Sequence, residues 1–198
     1  EETCITVVDD SVFEKISTEK APQGVISVIK HLDFFRDMDI IYKEEFFLKP
    51  EEKAIFLFSL RDPSNLGAVI RSSVAFGIDH IVLSSDCAEI YSPKTVRSAM
   101  GSLFRVKVTS VADVESFIKA AQGNSRRVFA AELSEGAVSL SDIDLCGSDI
   151  VMIGNEGHGI DSEVSALCDA SVYIPISKKT ESLNASVAAA IFMWEQNK

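Results

Sequence analysis

The chain reads as an α/β domain, a mostly parallel sheet with helices on both faces. Short apolar runs alternate with helical segments from residue 51 to the end, and the links between them are brief. Several of the runs are continuously apolar, as in Ala54-Ile55-Phe56-Leu57-Phe58 and Val151-Met152-Ile153, which suits buried strands. Helix punctuation follows the runs: Asp62-Pro63 opens a turn, and Gly123 stops a segment of helical spacing.

In chain order, strands are predicted near 55–59, 80–84, 128–132, 150–153 and 172–176. Helices are predicted over 65–76, 93–100, 111–121, 161–168 and 183–196. Asn65 is a good N-cap for the first of these, whose Leu66, Val69, Ile70, Val74 and Phe76 suit a buried face. Residues 1–50 differ. They are acidic and hold one possible strand, Gly24 to Ile29, after the turn-forming Pro22-Gln23-Gly24. Lys49-Pro50-Glu51-Glu52 reads as a boundary, giving domains 1–50 and 51–198.

At 198 residues the chain can bury a substantial core, and 46% of it is hydrophobic. No eighteen-residue apolar span is present, so a membrane partner is not expected. Cys4, Cys87, Cys146 and Cys168 are scattered, and with His31, His80 and His158 they form no metal-binding spacing. No metal is expected, and the cysteines read as reduced thiols of a cytoplasmic protein. The net charge of −11 is awkward for a nucleic-acid partner, yet residues 61–107 carry six basic and four acidic groups. That is the one positive stretch of the chain.

Three segments carry chemical information. Asp62-Pro63-Ser64-Asn65-Leu66-Gly67-Ala68-Val69-Ile70-Arg71 places polar groups at the carboxyl end of a strand, where open α/β sheets bind ligands. Gly154-Asn155-Glu156-Gly157-His158-Gly159 is a glycine-rich turn after a strand, distinct from both dinucleotide and lysine-loop phosphate fingerprints. Its glycines let backbone approach a flat ligand closely, and the acidic Glu156 tolerates a cationic ligand. His158 reads as a surface residue of this turn. The third segment, Ile174-Pro175-Ile176 and then Ser182-Leu183-Asn184-Ala185-Ser186, is a strand, a polar loop and a small-residue helix.

These segments, in this order, resemble the SpoU (TrmH-like) branch of the SPOUT RNA 2′-O-ribose methyltransferases, over roughly residues 54–198. The resemblance implies a SPOUT-type fold with a C-terminal trefoil knot, a topology that sequence physics would not suggest. It implies S-adenosylmethionine as cofactor, held by Ala131, Leu133, Gly154, Gly157, Ile174, Ile176 and Leu183. It also implies methyl transfer to a ribose 2′-hydroxyl of tRNA or rRNA, with Asn65, Arg71, Glu156, Ser182 and Asn184 at the reacting centre. Arg71 would stabilise charge or position phosphate, because a guanidinium keeps its proton too firmly to be a good base. Residues 1–50 resemble the tail of an RNA-recruiting domain and its connector, and a homodimer is expected. The alternative is a catalytically silent RNA-binding relative, against which the filled motif positions speak.

Overall fold

The computed structural model describes residues 4–19, 21–30, 35–38, 46–155 and 157–198, with backbone only for Arg36 and Asp37. It divides into two compact units, Glu1–His31 and Leu32–Lys198. The first holds one helix, α1 (Asp10–Ile16), none of whose residues is buried. The strand expected over 24–29 does not form: these residues are unpaired with any strand, and Val25, Val28 and Ile29 are exposed. An extended segment becomes a strand only when a neighbour takes its backbone groups.

The second unit is built on an eight-stranded sheet in which every described pairing is parallel. Its strands are β1 (Phe35–Met38), β2 (Ala54–Leu57), β3 (His80–Ser84), β4 (Lys107–Val111), β5 (Val128–Ala131), β6 (Val138–Ser139), β7 (Ile150–Ile153) and β8 (Ala170–Tyr173). Their spatial order is β1-β4-β3-β2-β7-β5-β8-β6. The helices are α2 (Pro63–Ala75), α3 (Pro93–Ala99), α4 (Val114–Gly123), α5 (Ser162–Ser165) and α6 (Ala185–Glu195). Alternation along β2 divides the core. Ile55 and Leu57 pack with Leu66, Ile70, Phe192 and Met193 from α2 and α6 on one face. Ala54 and Phe56 pack with Phe117 and Ile118 of α4 on the other.

The departures from expectation have local causes. β4 is easily overlooked because Lys107, Thr109 and Ser110 interrupt its apolar residues, yet Thr109 is buried and its hydroxyl pairs with His80 Nε2 at 2.8 Å. α4 begins at Val114, not 111, because Asp113 caps it by accepting the Ser116 N–H at 3.0 Å. β8 stops at Tyr173 rather than running to 176; Pro175 has no N–H to give a ladder. α5 is four residues long, half of the predicted span. Residues 35–38, which lie ahead of the expected boundary, join the sheet beside β4. Lys49-Pro50 is also no loose linker, since the buried Arg126 guanidinium donates to both carbonyls and to Ser148 O.

Candidate cofactor cleft and active site

β7, β5 and β8 are neighbours in the sheet although far apart in sequence. Their carboxyl ends therefore open together, and the loops leaving them line a cleft of about 680 Å³. Ala131 ends β5 and Leu133 follows it, Gly154 and Asn155 follow β7, and Ile174 and Ile176 follow β8. The loop from Ser177 to Leu183 closes one side, and Phe192 of α6 forms part of the wall. Six of the seven expected cofactor residues thus meet in one cavity, together with Ser182. Gly157 is exposed on the turn and does not line it. Glu156 lies outside the described residues.

The glycine turn is held by Asn155. Its main chain exchanges two hydrogen bonds with Gly159, of 3.0 and 2.8 Å. Its side-chain oxygen accepts from Gly157 N at 2.8 Å and His158 N at 3.3 Å, and its amide donates to Ser59 O at 2.8 Å. Gly154 is required by the turn itself: an added Cβ would lie 2.4 Å from Gly159 C and 2.8 Å from Ile160 Cγ1. His158 is exposed, in keeping with a surface residue.

Asn65 is not the N-cap of α2. Asp62 caps it by accepting from Ser64 N at 2.8 Å, Pro63 takes the first helical position, and Asn65 sits within the first turn. There it accepts a hydrogen bond of 3.0 Å from Asn184 Nδ2. The other end of Asn184 caps α6, its Oδ1 accepting from Ser186 N at 3.0 Å and Ser186 Oγ at 2.6 Å. These donors fix the oxygen end of the amide, so its NH₂ must face Asn65. One side chain thus ties the first motif to the third, immediately after the cleft loop.

Arg71 lies two turns further along α2, exposed, with Nη1 3.0 Å from Met100 Sδ. This approach depends on Gly67, one turn earlier on the same face, where a Cβ would stand 2.4 Å from Ser98 Cβ and 2.6 Å from Thr95 O. The positive stretch is less available than its count suggests. Arg61 pairs with Asp86 at 3.2 Å, Lys94 with Asp62 at 3.1 Å, and Lys107 with Glu52.

Glu132, between Ala131 and Leu133, also lines the cleft and accepts from Ser165 Oγ at 2.5 Å and Ser171 Oγ at 2.8 Å. Cys168 offers no nucleophile: burial, with Asp169 and Glu132 nearby, pushes its thiol up to about 12. Among the described residues no cluster suited to a metal ion is found, and no helix is long and apolar enough to cross a membrane.

Residues 52–194 match the SpoU rRNA Methylase family. The chain belongs to that family. Among its SpoU relatives, a 23S rRNA guanosine 2′-O-methyltransferase of Bacillus subtilis is 29% identical over 188 residues, covering 95% of this chain and 70% of the relative. A 23S rRNA uridine 2′-O-methyltransferase of Streptomyces viridochromogenes is 30% identical over 195 residues, covering 96% and 66%. Solved SpoU structures agree in fold. The Streptomyces viridochromogenes methyltransferase AviRb, solved with AdoMet, superposes with a TM-score of 0.69 at 27% identity, over 77% of this chain and 62% of that one. An AdoMet-bound rRNA methyltransferase from Sinorhizobium meliloti gives 0.70 at 29% identity, over 79% and 60%. The chain thus spans between three fifths and seven tenths of the length of these relatives.

Proposed function

We propose that this SpoU chain binds S-adenosylmethionine in the cleft and methylates a ribose 2′-hydroxyl of rRNA or tRNA. The observation that carries the reading is the convergence of the β5, β7 and β8 ends on one cleft that the Asn184–Asn65 bond joins to α2. The cleft suits the cofactor: its volume is in the range that encloses small ligands, Ile174, Ile176 and Leu183 offer apolar walls, and strand-end backbone offers polar contacts. When bound, the cofactor supplies a methyl group activated by a sulfonium.

The chain's own residues would hold and orient the other reactant. Arg71 would face the ribose and stabilise negative charge on its 2′-oxygen. Asn65 and Asn184 would fix α2 against the cleft loop so that both reactants are aligned, the largest entropic part of such a reaction. Ser182, exposed in that loop, would bond the nucleotide or cofactor; Glu156 would pair with an arginine and fix the site. Supporting a two-fold dimer is an apolar strip on α2 and α6, where Phe76, Val187, Ile191 and Trp194 line one groove and Trp194 is 51% exposed. A scattering mass that stays near 21.6 kDa at all concentrations would count against the dimer.

The test of the activity pairs two measurements. Calorimetric titration of S-adenosylmethionine should give binding to the wild type and to Arg71→Ala alike. Single-turnover methylation of RNA should be nearly abolished in Arg71→Ala and little rescued in Arg71→Lys, which lacks the planar forked donors. Wild-type rates in Arg71→Ala would remove it from the mechanism.

A further inference from the structure

Beyond the cleft, the turn that ends α3 has properties its structural role does not require. Between Glu89 and Asp113 the chain contains no acidic residue, while Lys94, Arg97, Arg105 and Lys107 fall inside that interval. In a chain of net charge −11 this is the longest interval without an acid. It also displays large apolar side chains to solvent. Met100 is 68% exposed and Phe104 55%, the latter carried on the short 3-10 turn Ser102–Arg105. Its neighbour Leu103, by contrast, joins the core.

The backbone here is costly. Met100 and Gly101 both adopt left-handed conformations, with φ of 49° and 80°. For a non-glycine residue such a conformation is uncommon and concentrates at functional sites. Its effect is to end α3 abruptly, lay the Met100 thioether against Arg71, and present Phe104 and Arg105 on the turn that follows. The tight seat of α3 on Gly67 fixes this arrangement to the helix that carries Arg71.

We propose that Phe104 is a stacking platform for an unpaired base of the RNA substrate, flanked by Arg105 as a phosphate contact. The inference rests on the RNA-methyltransferase reading and extends it by naming single-stranded RNA next to the target ribose as what this surface grips. Every base offers a π-face, and an exposed aromatic ring beside cations is the arrangement that binds single strands with little sequence preference. Duplex RNA would not suit it, because paired bases are not free to stack on a side chain.

The experiment measures binding of the 198-residue chain to a fluorescein-labelled unstructured 12-nucleotide RNA, and to a hairpin duplex of equal charge, by anisotropy across a salt series. Phe104→Ala should weaken single-strand binding about five- to 150-fold, the range of a lost base–aromatic stack. Phe104→Tyr should restore it, and the salt slope should be unchanged in both. Arg105→Gln should lower the slope by about 0.7, one phosphate contact on a single strand. Thermal melting and S-adenosylmethionine titration serve as controls, and both should be unmoved because neither side chain is buried. Equal affinity of Phe104→Ala and wild type for the single strand overturns the proposal. So does a wild type that binds cofactor but no single-stranded RNA. Folded wild type that binds no cofactor overturns the methyltransferase reading instead, while the dependence of RNA binding on Phe104 still decides this one.

Discussion

The bond from Asn184 to Asn65 joins two functions that substitution can separate. Asn184→Ala removes both: the α6 cap, worth about 1 kcal/mol, and the hydrogen bond to Asn65, worth about 0.5–1.5 kcal/mol. The side chain is exposed, so neither loss is enlarged by a cavity or a stranded buried group. The expected total is about 2 kcal/mol, which for a chain of this size lowers the melting temperature by roughly 4–8 °C. Asn184→Ser keeps a capping oxygen but is too short to reach Asn65, and should lose only about half as much. Asn65→Ala should cost about the same as Asn184→Ser, and the double-alanine cycle should show a coupling near 1 kcal/mol. The assay is urea unfolding, followed for each variant by cofactor titration. Because the cleft loop ends at Asn184, Asn184→Ala should also weaken S-adenosylmethionine binding, whereas Asn65→Ala should mainly slow methyl transfer. Strictly additive stabilities, with coupling below about 0.3 kcal/mol, would show that this bond does not join α2 to the cleft loop.

Further outcomes follow from the same geometry. Gly154→Ala forces the turn apart, because its Cβ would meet the Gly159 backbone, and should weaken cofactor binding at least about tenfold at a cost of about 1–3 kcal/mol in urea unfolding. Unchanged cofactor affinity would separate this turn from the cleft. Gly67→Ala should push α3 off α2 and carry Met100 away from Arg71, so methyl transfer should fall more than cofactor affinity. Equal losses of both would contradict it. Burial draws the Glu52 carboxyl upward, but hydrogen bonds from Lys107 and Lys49 N, with the nearby charges of Lys107 and His80, outweigh it and hold the carboxyl below its ordinary 4.5. A depressed folded value means stability that is complete above pH 4.5 and lost as pH falls through the lowered value. Thermal melts of wild type and Glu52→Gln should therefore differ by about 1–3 kcal/mol at neutral pH and converge in acid; a constant gap would refute the assignment.

The sequence by itself determined the class of fold and the identity of the motifs. Continuous apolar runs such as Ala54–Phe58 and Val151–Ile153 can only be buried strands or helices, and their lengths and turn residues chose strands. It could not place β4, whose Lys107, Thr109 and Ser110 look solvated until His80 supplies a partner. Nor could it distinguish the extended segment 24–29 from a strand, since pairing depends on a neighbour supplied by the fold. Gly154 and Ile174 were legible as turn and strand-end residues. That both line one cleft was settled by sheet order, which sets β7, β5 and β8 side by side regardless of their sequence separation. The tasks of Asn65, Asn155 and Gly67 were likewise decided in three dimensions. Each answers to an atom distant along the chain, Asn184 Nδ2, Ser59 O and Ser98 Cβ, and local propensity carries no information about such partners.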